Sequence, residues 1–474
     1  MRLSNKLGYG VGQVSDGVKT AAFSTFLFFY YNQVLGLSGS LAGMAALLAL
    51  SVDAITDPMI GQYSDQFRSR WGRRHPFMLM GALPFGIALT MLFSPPEHLG
   101  EMGLFGWMLA WAICVRMLLT LFYVPHLSLG AELVKDYHAR TSLIAWRVFF
   151  SVSGALVTSV IGFVVFFPAT PEYANGMLNP AGYSNFALFA GLFGTLAMLV
   201  SIYSTRSTIP ALSQAPVTHS TRHPVFAVAT VFATLKQRNF RILFITILLF
   251  MIMAGVTQTL LVYTATYIFG FDPKHLGLLA SSAVIGIFTA PWVAQKLARR
   301  FDKKKALAIN VIAGSLIGFS TQWLYLAGFF DTLTLDTKLT LVFLTNGFSQ
   351  TFFIAYVIII DSMLTDTIDE HHLNTGRREE GLFFAARALA TKASYGIGSF
   401  CAGVALDLIS FPQGATPESV SSDAMIKLAI VAGPISMFVF IFTIFVSRAY
   451  GLNAKRHEEI LSGIESAQTG LIRS

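Results

Sequence analysis

Long apolar stretches recur along the whole of this chain and limit what it can fold into. A helix needs about 20 predominantly apolar residues to cross the hydrocarbon core of a bilayer. Twelve segments of the sequence meet this requirement. They are Leu7–Val34, Gly39–Tyr63, Pro76–Phe93, Gly103–Leu133, Thr141–Phe167, Ser184–Tyr203, Phe240–Phe269, Lys274–Leu297, Lys305–Phe329, Lys338–Leu364, Gly381–Ile409 and Ala424–Val446. We therefore expect an all-α membrane protein with twelve transmembrane helices.

Charged residues are too few to cover the surface of a soluble protein of this size. They make up 12% of the chain, against about 25% in soluble domains, while hydrophobic residues make up 54%. The net charge is +8, but the basic residues lie in short loops between apolar segments. This placement is typical of membrane proteins. We therefore expect membrane lipid around the chain and no nucleic acid among its partners.

The basic residues occupy every second loop, and the alternate loops contain few of them. One alternate loop, Phe167–Ser184, has no Lys or Arg at all. Loops on the cytoplasmic side of a membrane carry an excess of these residues. The pattern therefore predicts a multi-pass protein of a bacterial-type inner (plasma) membrane with both termini in the cytoplasm. The basic residues of the cytoplasmic loops and tail include Arg68, Arg70, Arg73, Arg74, Lys135, Arg140, Arg206, Arg222, Arg299, Arg300, Lys303, Lys304, Lys305, Arg377, Arg378, Arg448, Lys455 and Arg456.

A polar interval with three prolines separates the first six apolar segments from the last six, and such intervals mark loops. The loop after the second segment reads DQFRSRWGRR, and the loop after the eighth reads ARRFDKKK. Similar loops at equivalent positions indicate an internal repeat, which is common in secondary transporters. The expected organisation is an N-terminal six-helix bundle (1–203), a cytoplasmic linker (204–239), a C-terminal six-helix bundle (240–447) and a cytoplasmic tail (448–474) that is partly disordered.

Two carboxylates lie inside the second apolar segment. Asp53 and Asp57 are four residues apart and therefore share one face of a helix, with Thr56 between them. Ionisable residues within a membrane are costly and mark ion or substrate pathways. Oxygen ligands of this kind suit Na⁺ or H⁺ rather than zinc. The alternative is a structural pair that forms a salt bridge with another helix.

Further charges lie in other apolar segments. Asp16 and Lys19 are three residues apart and either line a site or pair with each other, and Arg147 lies near the start of the fifth segment. Lys392 lies near the middle of the eleventh segment and requires a carboxylate partner, which we expect in the other bundle. The sequence contains neither a phosphate-binding loop nor a nucleophile elbow. We therefore expect neither ATP-driven transport nor an enzyme.

Four blocks of sequence resemble a known family. They are VDAITDPMIGQYSD (Val52–Asp65), SRWGRRHP (Ser69–Pro76), YVPHLSLGAEL (Tyr123–Leu133) and TGRREEGLFFAARALATKAS (Thr375–Ser394). The chain resembles, over nearly its whole length, the glycoside–pentoside–hexuronide:cation symporters of the major facilitator superfamily, of the melibiose permease type. The resemblance implies the major facilitator fold of two six-helix bundles.

The resemblance also implies roles for individual residues in cation binding. Asp53 and Asp57 match the carboxylates of the family's cation site. Thr56 and Thr120 match positions that line the same site. No cofactor is implied beyond the coupling cation, which is Na⁺ or H⁺.

The implied solute site combines matches and departures. Asp16 and Arg147 match residues that hold sugar hydroxyls, and Lys392 matches a lysine that bridges towards the carboxylates. Tyr123 stands where sugar-binding relatives have a second acid, and Leu127 where they have a tryptophan. The substitutions leave the cation site intact and move the chain towards the sodium-coupled lysophospholipid carriers, which resemble it at DAITDP.

The resulting expectation is a monomeric secondary transporter that works by alternating access and couples Na⁺ or H⁺ to a small-molecule solute of the sugar or glycoside type. A cation-coupled carrier of lysophospholipid or another amphipathic solute is one alternative. A membrane sensor or scaffold without transport activity is an alternative from a different class.

Overall fold

The computed structural model describes residues 3–67, 69–133, 137–211, 234–377 and 379–473. Within these ranges all regular structure is helical. The α-helices are α1 (Leu3–Val11), α2 (Val14–Ala21), α3 (Gly39–Gln66), α4 (His75–Leu92), α5 (Glu101–Leu133), α6 (Tyr137–Phe166), α7 (Pro180–Thr205), α8 (Arg238–Tyr263), α9 (Pro273–Ser281), α10 (Ala283–Arg300), α11 (Lys303–Gly318), α12 (Ser320–Leu326), α13 (Leu335–Thr375), α14 (Glu380–Leu408), α15 (Ser422–Ile430), α16 (Ser436–Ser447) and α17 (Ala454–Arg473). The prediction of an all-α protein is confirmed.

Most of the predicted spans are long apolar helices. In the described part of the chain, nine helices are long and apolar enough to cross a membrane, or ten if α11 and α12, which bend by 42° at their junction, form one span. The first predicted span is divided into α1, α2 and two π-helical turns, Ala22–Leu27 and Tyr30–Val34. The eleventh predicted span is α14, which carries Arg387, Lys392 and Asp407. With these two, the helices account for the twelve predicted spans.

The chain forms two compact units. Unit 1 comprises Met1–Pro224, Gln258–Ala280 and Ser399–Ala424, and unit 2 comprises the remaining segments, Val225–Thr257, Ser281–Gly398 and Met425–Ser474. Within unit 1, α5 packs against α3 and α4, α7 packs against α4, and α6 packs against α2. Within unit 2, α13 packs against α10, α11 and α17.

Glycines allow helices of unit 1 to approach closely. A Cβ atom added to Gly17 of α2 would lie 2.2 Å from the carbonyl oxygen of Ser151 in α6. A Cβ atom on Gly191 of α7 would lie 2.7 Å from the carbonyl oxygen of Gly86 in α4. Small residues at helix contacts are typical of membrane proteins, because packing rather than the hydrophobic effect holds spans together in lipid.

Two segments from late in the chain join unit 1 through polar contacts. The Asp407 carboxylate, near the end of α14, accepts hydrogen bonds from the backbone N–H groups of Gly39 (2.9 Å) and Ser40 (2.7 Å) at the start of α3. The Tyr263 hydroxyl donates to Asn32 over 2.6 Å. Because a helix N-terminus has backbone donors without intrahelical partners, the Asp407 carboxylate is a good cap for α3.

The predicted linker and the predicted C-terminal tail both contain helical segments. Helix α7 continues to Thr205, and one 3₁₀-helical segment, Arg206–Ala211, follows it. Positions 212–233 of the predicted linker lie outside the described residues. The expectation of a partly disordered tail is wrong for Ala454–Arg473, which form α17. The helix is held because Ile460 is buried and His457 contacts the carboxylate of Asp369 in α13 over 3.1 Å.

Candidate functional site

The first span is broken where α1 ends and α2 begins. The backbone N–H groups of Gly12 and Gln13 donate to carbonyl groups three residues earlier, instead of four. The regular series of α-helical hydrogen bonds is therefore interrupted here. The carbonyl oxygen of Tyr9 accepts hydrogen bonds from His126 Nε2 (2.9 Å) and Ser201 Oγ (3.2 Å). Because Nε2 donates to a carbonyl, Nδ1 of the neutral ring accepts from the Gln13 amide over 3.0 Å. Side chains of α5 and α7 thus stabilise the break.

The break places Asp16 in the first turn of α2. Its carboxylate pairs with Lys19 over 3.2 Å and accepts a hydrogen bond from Ser151 of α6 over 3.0 Å. The sequence left open whether Asp16 and Lys19 pair with each other, and in the structure they do. Asp16 is nevertheless partly exposed and also contacts a second helix, so the pairing leaves part of its carboxylate accessible.

Tyr123 of α5 lies among the other predicted solute residues. It is within electrostatic range of Asp16, Arg147 and Asp57. Arg147, on α6, lies within electrostatic range of the Tyr9 hydroxyl. Unit 1 therefore brings Asp16, Tyr123 and Arg147 together beside one of the two predicted cation-binding carboxylates.

The predicted cation site consists of two matched contacts between α3 and α5. Asp53 and Asp57 lie one turn apart on α3, and Arg116 and Thr120 lie one turn apart on α5. Arg116 Nη2 contacts Asp53 Oδ2 over 2.5 Å. Thr120 Oγ1 donates to Asp57 Oδ1 over 2.9 Å. Each carboxylate thus has its own partner on the facing helix.

The Asp53–Arg116 pair is deeply buried. Both residues are only 7% exposed. The guanidinium carbon lies 5.6 Å from the ring centroid of Phe23, a distance at which a cation is attracted by an aromatic face. The other oxygen of Asp53, Oδ1, is buried without a hydrogen-bond partner among the described residues. A carboxylate oxygen of this kind suits a cation as a ligand.

The remaining two predicted site residues have different placements. Thr56 lies on α3 with the carboxylates, and its hydroxyl donates to the Val52 carbonyl over 3.1 Å, so its oxygen lone pairs remain available. Lys392 lies half-buried on α14 in unit 2. Its proposed pairing with an acid of the other bundle therefore stays a prediction.

Sequence reasoning missed Arg116 and His126. Arg116 stands in the otherwise apolar stretch ICVRMLLT, four residues before Thr120. A charged residue inside an apolar span is a signal of a functional site, and the sequence offered this signal. In unit 2, Arg387 and Asp361 form another ion pair, with Nε of Arg387 2.8 Å from the Asp361 carboxylate. His126 carried no such signal, because a histidine within a helix is compatible with many roles.

The fold and the site define a class of protein, a polytopic helical transporter with ionisable residues inside its spans. The chain belongs to the MFS/sugar transport protein family, whose model matches residues 8–454. This confirms the resemblance to the glycoside–pentoside–hexuronide:cation symporters. The protein is a membrane transporter and not an enzyme.

Individual relatives match nearly the whole chain. The inner membrane symporter YicJ of Escherichia coli is 24% identical over 96% of this chain and 90% of its own length. The isoprimeverose transporter of Lactiplantibacillus pentosus is 23% identical over 85% of this chain and 80% of its own length. Among solved structures, the inward-open xylose transporter XylE of Escherichia coli superposes with a TM-score of 0.62 at 15% identity, covering 96% of this chain and 98% of that one. The structural likeness confirms the major facilitator fold.

Proposed function

We propose that this protein is a secondary active transporter that couples inward movement of a monovalent cation, Na⁺ or H⁺, to uptake of a sugar or glycoside by alternating access. The observation that carries the proposal is the arrangement within unit 1. Asp57, with its Thr120 partner, lies within electrostatic range of the same Tyr123 ring that neighbours Asp16 and Arg147. The proposed cation site and the proposed polar solute site are thus adjacent.

Adjacency explains how the two substrates are coupled. A cation beside Asp57 reduces the negative charge around Tyr123 and favours one arrangement of α3 and α5, and α5 also contributes Tyr123 to the proposed solute site. If the cation raises the affinity for the solute by some factor, the solute must raise the affinity for the cation by the same factor. Asp16, Tyr123 and Arg147 supply hydrogen-bond donors and acceptors that match sugar hydroxyls.

The relatives support the solute class by their names, since one is an isoprimeverose transporter and another is a lactose permease. We infer further that the transporter is a monomer in the lipid of a bacterial inner membrane, with both termini in the cytoplasm. Lys392, in the second bundle, balances the carboxylates of the first in at least one conformation of the cycle.

The proposal is tested by uptake into proteoliposomes containing the full-length protein. Radiolabelled lactose, isoprimeverose and lysophosphatidylcholine are the probes, each with an inward NaCl gradient, an inward proton gradient or neither. We expect one of the sugars to accumulate with one of the gradients. Asp57→Asn removes the charge that attracts the cation and is expected to abolish gradient-driven accumulation.

Asp336→Asn serves as the matched control, because Asp336 is an exposed acid at the start of α13 and its loss should leave uptake unchanged. Accumulation of the lysophospholipid alone would replace the sugar by an amphipathic solute. Absence of gradient-stimulated uptake of every probe would reject cation coupling and favour a sensor or scaffold.

A further inference from the structure

The ion pair of unit 2 joins two helices within their apolar segments. Asp361 follows the apolar run FFIAYVIII of α13, and Arg387 follows LFFAA in α14. Nε of Arg387 lies 2.8 Å from one oxygen of Asp361, and Nη2 donates to the other oxygen over 3.2 Å. The guanidinium and the carboxylate thus meet through two parallel contacts, which fix the orientation of both groups.

This pair is more exposed than the ion pair of the predicted cation site. The side chains of Asp361 and Arg387 are 37% and 19% exposed. Those of Asp53 and Arg116 are only 10% and 8% exposed. Charged side chains within spans rarely face lipid, because the loss of their hydration is costly there, and they face other helices or a water-filled path instead. The exposed part of the Asp361–Arg387 pair therefore faces water.

Exposed apolar side chains flank the pair on the same helix faces. Ile358 stands three residues before Asp361 on α13, and Phe384 stands three residues before Arg387 on α14. Residues three apart are neighbours on the surface of a helix. Ile358 and Phe384 are each 39% exposed. Binding sites for small solutes combine apolar and aromatic side chains with a few placed polar groups, and these two helix faces have that composition.

The pair can donate and accept hydrogen bonds at the same time. Nε and Nη2 of Arg387 contact Asp361, and a guanidinium has a third nitrogen that carries further N–H donors. Each carboxylate oxygen of Asp361 has a second lone pair. Neighbouring hydroxyls of a sugar also donate and accept, so that an acid held beside a base matches them. The C–H groups of a sugar ring match an aromatic side chain.

We propose that Asp361, Arg387 and Phe384 form a solute subsite in unit 2, where the ion pair binds hydroxyls of a sugar and the aromatic ring packs against its C–H groups. The inference rests on the proposed sugar transport. It assigns to the solute path three residues that the predicted solute set does not contain. A pair that only holds α13 to α14 is the competing explanation, and the experiments separate the two.

The first experiment measures access to position 384. Phe384→Cys is made in the full-length protein with Cys114 and Cys401 replaced by serine, and the variant is placed in lipid nanodiscs. A charged methanethiosulfonate reacts with thiols in water but does not enter lipid. We expect it to label position 384, and we expect saturating lactose or isoprimeverose to slow the labelling at least about threefold, because bound sugar covers the thiol.

Phe288→Cys in the same background is the matched control. Phe288 of α10 is 79% exposed, and no ionisable residue lies within one turn of it on that helix. An apolar maleimide should label position 288 through the lipid, and neither sugar should change its rate. Absence of labelling at position 384 by the charged reagent would overturn the proposal. Labelling there that neither sugar slows, or that both positions lose equally, would overturn it as well.

The second experiment separates binding from folding. Asp361→Asn and Arg387→Gln should each raise the half-saturating concentration for equilibrium binding of the radiolabelled sugar about tenfold or more, as expected when a hydrogen bond to a charged group is lost. Both should also melt at a lower temperature. The double variant Asp361→Leu/Arg387→Met removes both charges together, which folding often tolerates. We expect it to recover the melting temperature but not the sugar affinity.

The ion pair between Lys303 and Asp366 is the control for this experiment, because it also joins two helices of unit 2. Lys303→Met/Asp366→Leu should leave sugar affinity within about threefold of wild type. An equal loss of affinity there, or a double variant at Asp361 and Arg387 that binds sugar as the wild type does, would overturn the subsite. A wild-type protein that binds neither sugar would instead contradict the proposed function itself.

Discussion

At the scale of single residues, the buried imidazole of His126 stabilises the helix break beside the proposed solute site. The ring donates to the Tyr9 carbonyl, accepts from Gln13 and stacks on the Tyr9 ring, with centroids 4.1 Å apart. These contacts hold the ends of α1 and α2 on either side of the break. Asp16 follows within one turn, so its position depends on the same histidine.

His126→Leu tests this positioning role. The change removes one donor from the Tyr9 carbonyl, which keeps its bond from Ser201, and leaves the Gln13 side-chain amide without the His126 acceptor. A buried unsatisfied group costs about 1–3 kcal/mol. We expect a lower melting temperature and a higher half-saturating sugar concentration in transport assays. His75→Leu is the control, because His75 is also buried, but its Nε2 contacts the Thr205 hydroxyl over 3.0 Å rather than Tyr9 or Gln13. It should lower only the melting temperature, and an equal change of sugar affinity in both variants would contradict the prediction.

At the scale of helices, close backbone contacts and acid–base contacts at helix ends hold each unit together. In unit 1, Arg73 at the loop before α4 contacts Glu132 at the end of α5 over 2.7 Å. In unit 2, Lys303 at the start of α11 contacts Asp366 of α13 over 2.7 Å. These contacts join equivalent elements of the two halves, as expected for an internal repeat.

The contact between α4 and α7 provides a test of the packing. Gly191→Ala would place a Cβ atom 2.7 Å from the Gly86 carbonyl oxygen, which forces the helices apart. Overpacking of this kind costs about 1–3 kcal/mol, so the melting temperature should fall. Gly106→Ala on α5 is the control, because outside the adjoining backbone of α5 no atom of the described residues lies within 4 Å of the added Cβ. It should be neutral or stabilising, by up to about 1 kcal/mol, and a fall equal to that of Gly191→Ala would contradict the packing explanation.

At the scale of the whole molecule, alternating basic loops predict which side of the membrane each loop faces. Single cysteines are introduced at Glu172 and Arg299, both exposed, in a background with Cys114 and Cys401 replaced by serine. A membrane-impermeant maleimide applied to intact cells should label position 172 and leave position 299 unlabelled until the cells are opened. Labelling of both positions from the same side would reject the topology.

Lys392 offers a second test at this scale. A lysine within a span needs a carboxylate nearby to remain charged, and Asp57, Asp53 and Asp16 are the candidates in unit 1. Replacing Asp53 or Asp16 also breaks an ion pair inside unit 1, with Arg116 or Lys19, so the cycle with Asp57 is the clearest test. Double-mutant cycles between Lys392→Ala and each Asp→Asn change should give an interaction of about 0.5–3 kcal/mol at Asp57. Additive losses at all three acids would mean that Lys392 has another partner.

The sequence by itself determined the helical class, the positions of the spans and the family. These properties follow from local composition, because a bilayer of given thickness demands an apolar segment of given length wherever a helix crosses it. The sequence also determined that Asp53 and Asp57 share a helix face, since four residues make about one turn. It did not determine the break at Gly12 and Gln13 or the helix that follows Asn453, because both depend on side chains supplied by other helices.

Only the tertiary structure decided which residue each buried acid contacts. Asp53 and Arg116 are 63 residues apart in the chain, as are Asp57 and Thr120. Whether such residues meet depends on the rotation and depth of α3 relative to α5, which the periodicity of either helix leaves open. Helix packing sets both, through the small and apolar side chains along the contact rather than through the charged ones. The contacts of the two predicted cation-binding carboxylates are therefore a property of the packed unit 1 and not of the motif that contains them.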